Sequence, residues 1–134
     1  MNTDDTDNTD RKSHDLIHKE LTFLINGVLF STHNELSQYA REKQYGDAVE
    51  RLFKEKGINY HREVRIGNSG NTMDFVVKNL VGLELKAKRI LIKEDYFQTQ
   101  RYLQETGLQL AVLVNFRDKF IKPKRIVKID RWKK

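Results

Sequence analysis

The sequence predicts a single α/β domain in which a mixed central sheet is flanked by helices, in the order α-α-β-β-β-α-β with a short edge strand after it. Its 134 residues and 15.9 kDa are the size of one ordinary domain. Apolar residues recur at helical spacing before Gly57 and alternate with polar residues after it. The segment LQLAVLVNF at 108–116 is almost wholly apolar, which is typical of a strand buried on both faces.

Two helices are predicted before Gly57. Ser13 is a candidate N-cap for the first, which we expect to run to about residue 33. Its apolar stripe consists of Ile17, Leu21, Leu24 and Val28. Ser37 is a candidate N-cap for the second helix, and Gly57 is a typical C-terminal stop after it. The inner face of that second helix consists of Tyr45, Val49, Leu52 and Phe53.

The remaining elements follow from period-two alternation, turn residues and one further helical segment. They are a strand over 58–66, a hairpin over 72–77 and 81–88, a helix over 93–106, and an edge strand over 124–129. The sequence GNSGN at 67–71 predicts a loop before the hairpin. Residues 1–12 contain no apolar side chain after Met1, so we expect an acidic, disordered leader there and the folded domain over 13–134.

The register of the predicted hairpin decides whether two acidic residues meet. Glu84 and Lys86 are two residues apart in a strand, so their side chains point to one face. A three-residue loop at 78–80 puts Asp74 opposite Glu84 on that face, whereas a two-residue loop puts Asp74 opposite Leu85. The apolar pattern favours the three-residue loop, because that register directs five apolar side chains to the other face as a core. These are Phe75, Val77, Leu83, Leu85 and Ala87.

Two close carboxylates beside one ammonium group are a suitable environment for a hard divalent cation. Mg²⁺ takes oxygen ligands, keeps several waters, and commonly binds one or two carboxylates together with a substrate phosphate. Asp74 and Glu84 are therefore candidate ligands, and Lys86 is a candidate to orient a water or to stabilise charge on a phosphate. The residues alone do not exclude the alternative that these side chains form a surface salt-bridge cluster, because Glu-x-Lys is a weak motif.

Asp74 followed by Glu84-Leu85-Lys86 resembles the signature of the PD-(D/E)XK nuclease superfamily, and the nearer resemblance is to its GxxExxY family. The similarity covers roughly residues 16–127. The agreeing segments are Gly27 with His33-Asn34-Glu35-Leu36, Glu42-Lys43-Gln44-Tyr45, Asp74-Phe75-Val76-Val77, Gly82-Leu83-Glu84-Leu85-Lys86-Ala87, Gln98 with Tyr102, Thr106-Gly107-Leu108 and Val114-Asn115-Phe116. Tyr39 stands where the family's namesake Gly is expected, so the motif departs from its pattern there.

The resemblance implies a restriction-endonuclease-like fold and a metal-dependent nuclease. It implies that Asp74 and Glu84 ligate Mg²⁺, or Mn²⁺ in its place, and that Lys86 assists the attacking water. It also implies that Glu42 lies near the metal or its waters, and that Gln98 supports the site or touches the substrate. From its own pattern, Glu42 is also compatible with a solvated helix face.

The charge distribution is compatible with an anionic partner, of which nucleic acid is the commonest and DNA the one we expect, and equally with a solvated charged surface. The net charge is +6, and residues 1–12 carry four Asp against two basic residues (net -2), so the rest of the chain carries +8. Five residues are candidates to contact nucleic acid. Lys88 ends the second hairpin strand on the same face as Glu84 and Lys86, and Arg89 and Lys93 follow in the connection to the next helix. Arg131 lies beside Trp132, whose ring can stack on a base, dock on the domain surface or contact a partner.

Several classes are excluded, and three functional hypotheses remain. The chain has no cysteine, which excludes disulfides and thiolate zinc sites, and it has no apolar run of membrane-spanning length or secretory signal pattern, so we expect a cytoplasmic protein. The first hypothesis is a metal-dependent nuclease acting on DNA. The second is a nucleic-acid-binding or adaptor protein with a weak or unused metal site. The third is a component that works as a homo-oligomer or with a partner protein.

Overall fold

A computed structural model describes residues 17–132 as three helices and five strands. The elements are α1 (Lys19–Leu36), α2 (Glu42–Glu55), β1 (Tyr60–Ile66), β2 (Asn71–Val77), β3 (Val81–Lys86), α3 (Lys93–Thr106), β4 (Leu110–Asn115) and β5 (Lys124–Val127). The predicted α/β class and element order are confirmed. No helix in this part of the chain is long and apolar enough to cross a membrane.

The five strands form one mixed sheet in the order β1-β2-β3-β4-β5. Neighbouring strands are antiparallel except β3 and β4, which are parallel and are connected through α3. Every residue of β4 is buried, as its continuous apolar sequence predicts, and β5 is the expected edge strand. The carboxyl ends of β3 and β4 therefore lie side by side at one edge of the sheet.

Helices cover the two faces of the sheet. Helices α1 and α2 pack on one face through a large apolar core that includes Ile25, Phe53 and Phe75. Helix α3 lies against the other face, where Tyr102 joins a smaller cluster with Ile66, Met73 and Val76. Since β3 alternates, Leu83 and Leu85 fill the large core and Glu84 is directed to the α3 side.

The hairpin between β2 and β3 has the register that the apolar pattern favours. Val77 pairs with Val81 and Phe75 pairs with Leu83. The turn closes over only two residues, because the N–H of Leu80 donates to the carbonyl of Val77 at 2.9 Å. Leu80 is then one extra residue before β3 begins. A tight turn with one added residue therefore gives the pairing expected of a three-residue loop.

At Glu63 the alternation of side chains along β1 is interrupted, so that residues before and after it pack on opposite faces of the sheet. The β1–β2 ladder pairs Arg62 with Phe75 and Val64 with Met73, and Glu63 between them has a left-handed φ of 54°. As a result, Tyr60 packs into the core under α1 and α2, whereas Val64 packs into the cluster under α3. Asp74 lies opposite this irregularity, so its side chain is not confined to a regular pleat.

Three details of the first two helices differ from prediction. Ser37 does not cap the second helix: it ends α1, where its N–H donates to the carbonyl of His33 and its φ is 65°. Helix α2 begins only at Glu42, because the side chain of Gln44 accepts the N–H of Arg41. Leu24 is 44% exposed, since Ile25 and Leu29 take the inner positions of α1. The predicted leader and the Ser13 cap lie outside the described residues.

Candidate active site

The site is built where β2 and β3 separate. Their pairing stops at Phe75 and Leu83, and from there the side chain of Asp74 replaces a backbone partner. Its Oδ2 atom accepts the N–H of Leu85 at 2.7 Å. This bond fixes the carboxylate of Asp74 beside that of Glu84, on the neighbouring strand.

Glu84 is a buried acid, with only 3% of its surface exposed. Burial, and then the negative charge of Asp74, raise the pKa of Glu84 well above its usual range, although the ammonium of Lys86 opposes this. Burial also raises the pKa of Asp74, against the hydrogen bond from the Leu85 N–H. A side-chain hydrogen bond between the two carboxyl groups raises the pKa of Glu84 and acts to lower that of Asp74. The two acids therefore form one coupled pair.

Lys86 lies two residues beyond Glu84 on the same strand. Its Nζ donates to Oε1 of Gln98 at 2.9 Å. Gln98 lies in α3, the helix that connects the parallel strands β3 and β4. This helix therefore places the hydrogen-bond partner of Lys86 at the end of β3. The structure therefore brings Gln98 into contact with Lys86, and its contact with a substrate stays a prediction.

Glu42 approaches the acid pair from the other layer. It is the first residue of α2, a position where a carboxylate interacts favourably with the helix dipole. Burial and then the charge of Asp74 raise the pKa of Glu42, and the nearby N–H of Ala87 acts in the opposite direction. The residue as a whole is exposed, and it lines a cavity together with Asp74.

Arg62 is a neighbour of the site that sequence reasoning missed. It lines, together with Asp74 and Glu42, a cavity of about 220 Å³. Its Nη1 donates to Asp47 at 2.8 Å and to Glu50 at 2.9 Å, which holds the guanidinium in place.

A glycine makes room for this arginine. A Cβ atom at position 46 would lie 2.5 Å from Nη2 of Arg62. Gly46 lies inside α2, where glycine is otherwise unfavourable by roughly 0.5–1 kcal/mol relative to alanine. A glycine within a predicted helix does not by itself reveal this contact, since a Cβ at Gly27, inside α1, would meet no atom within 4 Å.

Lys88, a predicted nucleic-acid contact, has an acidic partner within the protein. Its Nζ donates to both carboxylate oxygens of Asp95, at 3.0 and 2.8 Å, and Asp95 also accepts the N–H of Ile92. The buried amide of Asn115 holds the same segment, donating to the carbonyl of Lys88 at 2.7 Å and accepting its N–H at 3.0 Å. These contacts fix the connection between β3 and α3.

The four other residues predicted to contact nucleic acid lie in segments other than the strands that carry Asp74 and Glu84. Arg89 and Lys93 are exposed in the β3–α3 connection and at the start of α3. Arg131 is exposed and Trp132 is half-buried, both after β5 at the end of the described residues. Within residues 17–132, none of the three cations forms an ion pair with an acidic side chain. Their contact with nucleic acid stays a prediction.

The donor set fits a hard divalent cation that is held only in part by protein. Over residues 17–132, no three His, Asp or Glu side chains converge as a metal cluster. Asp74 and Glu84 nevertheless supply carboxylate oxygens in a buried place, where their mutual repulsion favours a positive charge between them. Mg²⁺ commonly uses one or two carboxylates and completes its shell with waters and phosphate oxygens. Two acids are sufficient for such a site.

A mixed five-stranded sheet whose central hairpin carries Asp74, Glu84 and Lys86 defines a restriction-endonuclease-like α/β domain. The chain belongs to the PD-(D/E)XK nuclease superfamily, whose family model matches residues 19–128. No curated protein matches the chain.

Two solved structures are similar to the chain. An alkaline exonuclease, LHK-Exo from Laribacter hongkongensis, is 19% identical with a TM-score of 0.47, over 60% of this chain and 53% of that one. The protein SSO0001 is 19% identical with a TM-score of 0.49, over 78% of this chain and 65% of that one. The chain thus spans between about half and two thirds of these two structures.

Proposed function

We propose that this protein is a divalent-metal-dependent nuclease that hydrolyses phosphodiester bonds in DNA. The observation that carries the proposal is the buried carboxylate of Glu84 and the half-buried carboxylate of Asp74 beside the ammonium of Lys86. The superfamily match supports it, and assignment to the GxxExxY family is part of the same proposal. A cytoplasmic location, and action as a homo-oligomer or with a partner protein, stay predictions.

Each residue of the site has a separate role in the proposed reaction. Asp74 and Glu84 would hold Mg²⁺ or Mn²⁺, which when bound lowers the pKa of a water and polarises the phosphoryl oxygen. Lys86 orients the attacking water, and Gln98 keeps the lysine directed into the site through its 2.9 Å hydrogen bond. Water adds to phosphorus and releases a proton to solvent as the bond to the leaving oxygen breaks, and that oxygen takes up a proton from solvent.

The remaining site residues act around this centre. Glu42 interacts with waters at the rim, since its carboxyl group lies near those of the acid pair. The exposed cations Arg89, Lys93 and Arg131 attract the phosphates that flank the cut bond, and Trp132 stacks on a base. Lys88 also contributes to the attraction of phosphates, although its ammonium group forms an ion pair with Asp95.

Cleavage of labelled linear and circular DNA in the presence of Mg²⁺, Mn²⁺ or EDTA tests the proposal. We expect cutting with either metal, none with EDTA, and a loss of at least about 100-fold in Asp74→Asn and Glu84→Gln. Asp130→Asn and Glu105→Gln remove exposed acids away from the pair and are expected to cut normally. DNA binding without cleavage under all conditions would favour the adaptor hypothesis.

A further inference from the structure

Two aromatic rings, those of Tyr39 and Phe120, are exposed next to cations. Tyr39 is 77% exposed and Phe120 is 74% exposed. The guanidinium of Arg117 lies 5.8 Å from the ring centroid of Tyr39, and the ammonium of Lys119 lies 5.6 Å from that of Phe120. We name these four residues the aromatic–basic surface.

The backbone under this surface is held by hydrogen bonds from the end of α1, the α1–α2 connection and the start of α2. Gln38 donates from its side chain to the carbonyl of Arg117 at 3.0 Å. His33 Nε2 contacts the carbonyl of Asp118 at 2.9 Å. The N–H of Ala40 donates to the hydroxyl of Tyr45, whose ring stacks on Phe116 with centroids 4.2 Å apart. The exposed rings therefore extend from anchored backbone, which lowers the entropic cost of binding a ligand.

In the described residues, Arg117 and Lys119 have no ion-pair partner, although Asp118 lies between them in the sequence. Over residues 17–132, the nearby Arg41 also forms no ion pair with a carboxylate. Nε of Arg117 is buried without a hydrogen-bond partner in the described structure. A ligand that carries negative charge and flat apolar groups together matches this combination.

The backbone at Arg117, in the aromatic–basic surface, lies close to the candidate active site. Lys86 is paired in register with Asn115, and its carbonyl accepts the N–H of Phe116 at 2.8 Å. Paired strands lie about 4.8 Å apart and two residues span at most about 7 Å, so the Cα of Arg117 lies within about 12 Å of that of Lys86. Tyr39 comes three residues before Glu42. Roughly three to four stacked nucleotides cover this distance at about 3.4 Å each.

We propose that the aromatic–basic surface binds an unpaired strand of the DNA substrate beside the cutting site. Bases stack on Tyr39 and Phe120, and phosphates contact Arg117 and Lys119. Stacking on an aromatic ring requires a base whose flat face is free, which a duplex does not offer. The inference rests on the proposed function and adds to it the substrate class: DNA with a single-stranded end or segment.

Fluorescence anisotropy with labelled dT12 and a blunt 12-bp duplex, measured in EDTA, tests this surface without cleavage. We expect Tyr39→Ala/Phe120→Ala to weaken binding of dT12 at least about tenfold and binding of the duplex less than about twofold. Tyr39→Phe/Phe120→Tyr keeps both rings and is expected to bind normally. Phe23→Ala is the matched control, because Phe23 is also 77% exposed but lies on α1.

The cations are tested by the salt dependence of the same binding. Arg117→Gln/Lys119→Gln is expected to reduce the slope of log K against log salt by about 1.4, the value for two phosphate contacts on a single strand. Lys54→Gln, which removes an exposed lysine of α2, is expected to leave the slope unchanged.

Several results would overturn the inference. One is equal loss of dT12 and duplex binding in Tyr39→Ala/Phe120→Ala, and another is no loss of either. A third is a dimer that dissociates in this variant while DNA binding is kept, which would assign the surface to a second copy of the chain. If the double variant loses dT12 binding but the wild type never cuts DNA, the surface inference is supported and the proposed hydrolysis is contradicted.

Discussion

Asp74 Oδ2 accepts the backbone N–H of Leu85 at 2.7 Å, so one site carboxylate is held by the strand that carries the other. The side chain replaces a missing rung of the β2–β3 ladder, whose pairing ends at Phe75 and Leu83. This geometry requires an acceptor at the tip of a short side chain. It positions the acid pair by the fold itself, independently of any bound ion.

Gln98 is expected to act as a positioning residue for Lys86. Gln98→Ala removes the acceptor of the 2.9 Å bond, so we expect cleavage to fall about 10–100-fold in kcat, with little change in KM or in the free energy of unfolding. Gln98→Glu keeps an acceptor and is expected to retain more activity than Gln98→Ala. Gln109→Ala, at an exposed site, is the control. Equal activity of Gln98→Ala and wild type would contradict this role.

The Lys88–Asp95 pair is expected to make stability depend on pH. Burial alone would raise the pKa of Asp95, but the Lys88 ammonium and the Ile92 N–H outweigh it, so this pKa is lowered. The contribution is therefore complete above the unfolded pKa of about 3.9 and is lost as pH falls through the lower folded value.

Urea unfolding of Asp95→Asn and wild type at several pH values measures this contribution. We expect the variant to be about 1–2 kcal/mol less stable at pH 7, since Lys88 is partly exposed, and the difference to shrink below pH 3.9. Asp130→Asn is the exposed control. A difference that does not change between pH 7 and pH 2 would show that the ion pair is not its cause.

Two Gly→Ala substitutions are expected to have opposite effects on the free energy of unfolding. At Gly82 a Cβ would lie 2.3 Å from the Met73 sulfur, which is fully buried, so Gly82→Ala is expected to destabilise by about 1–3 kcal/mol. At Gly27, inside α1, a Cβ meets no atom within 4 Å, so Gly27→Ala is expected to stabilise by about 0.5–1 kcal/mol. Thermal or urea unfolding distinguishes them, and equal shifts would contradict the close packing at Gly82.

Much of the fold was accessible from apolar periodicity. The bounds of α3 agree with the predicted 93–106, and the hairpin register is the predicted one, which buries Phe75 and Leu83. Both are properties of local sequence, because burial of alternate residues penalises a shift of one position. The proximity of Asp74 to Glu84 follows from that register.

The features of the fold and the site that the sequence did not predict depend on contacts between segments that are distant in the chain. Serine is a preferred residue at helix N-caps, but tertiary packing places Ser37 at the end of α1. Arg62 reaches the site only because β1 packs against α2 at Gly46. The left-handed conformation of Glu63 has no signature in its residue type, since such backbone favours glycine. No local pattern contains this information.

Binding of Mn²⁺ followed by electron paramagnetic resonance tests most directly whether Asp74 and Glu84 form a metal site. The account predicts saturable binding to wild type and to Asp130→Asn, competition by Mg²⁺, and loss of binding in Asp74→Asn/Glu84→Gln, with circular dichroism showing that the variant remains folded. Mn²⁺ binding of unchanged affinity in that double variant would contradict the account.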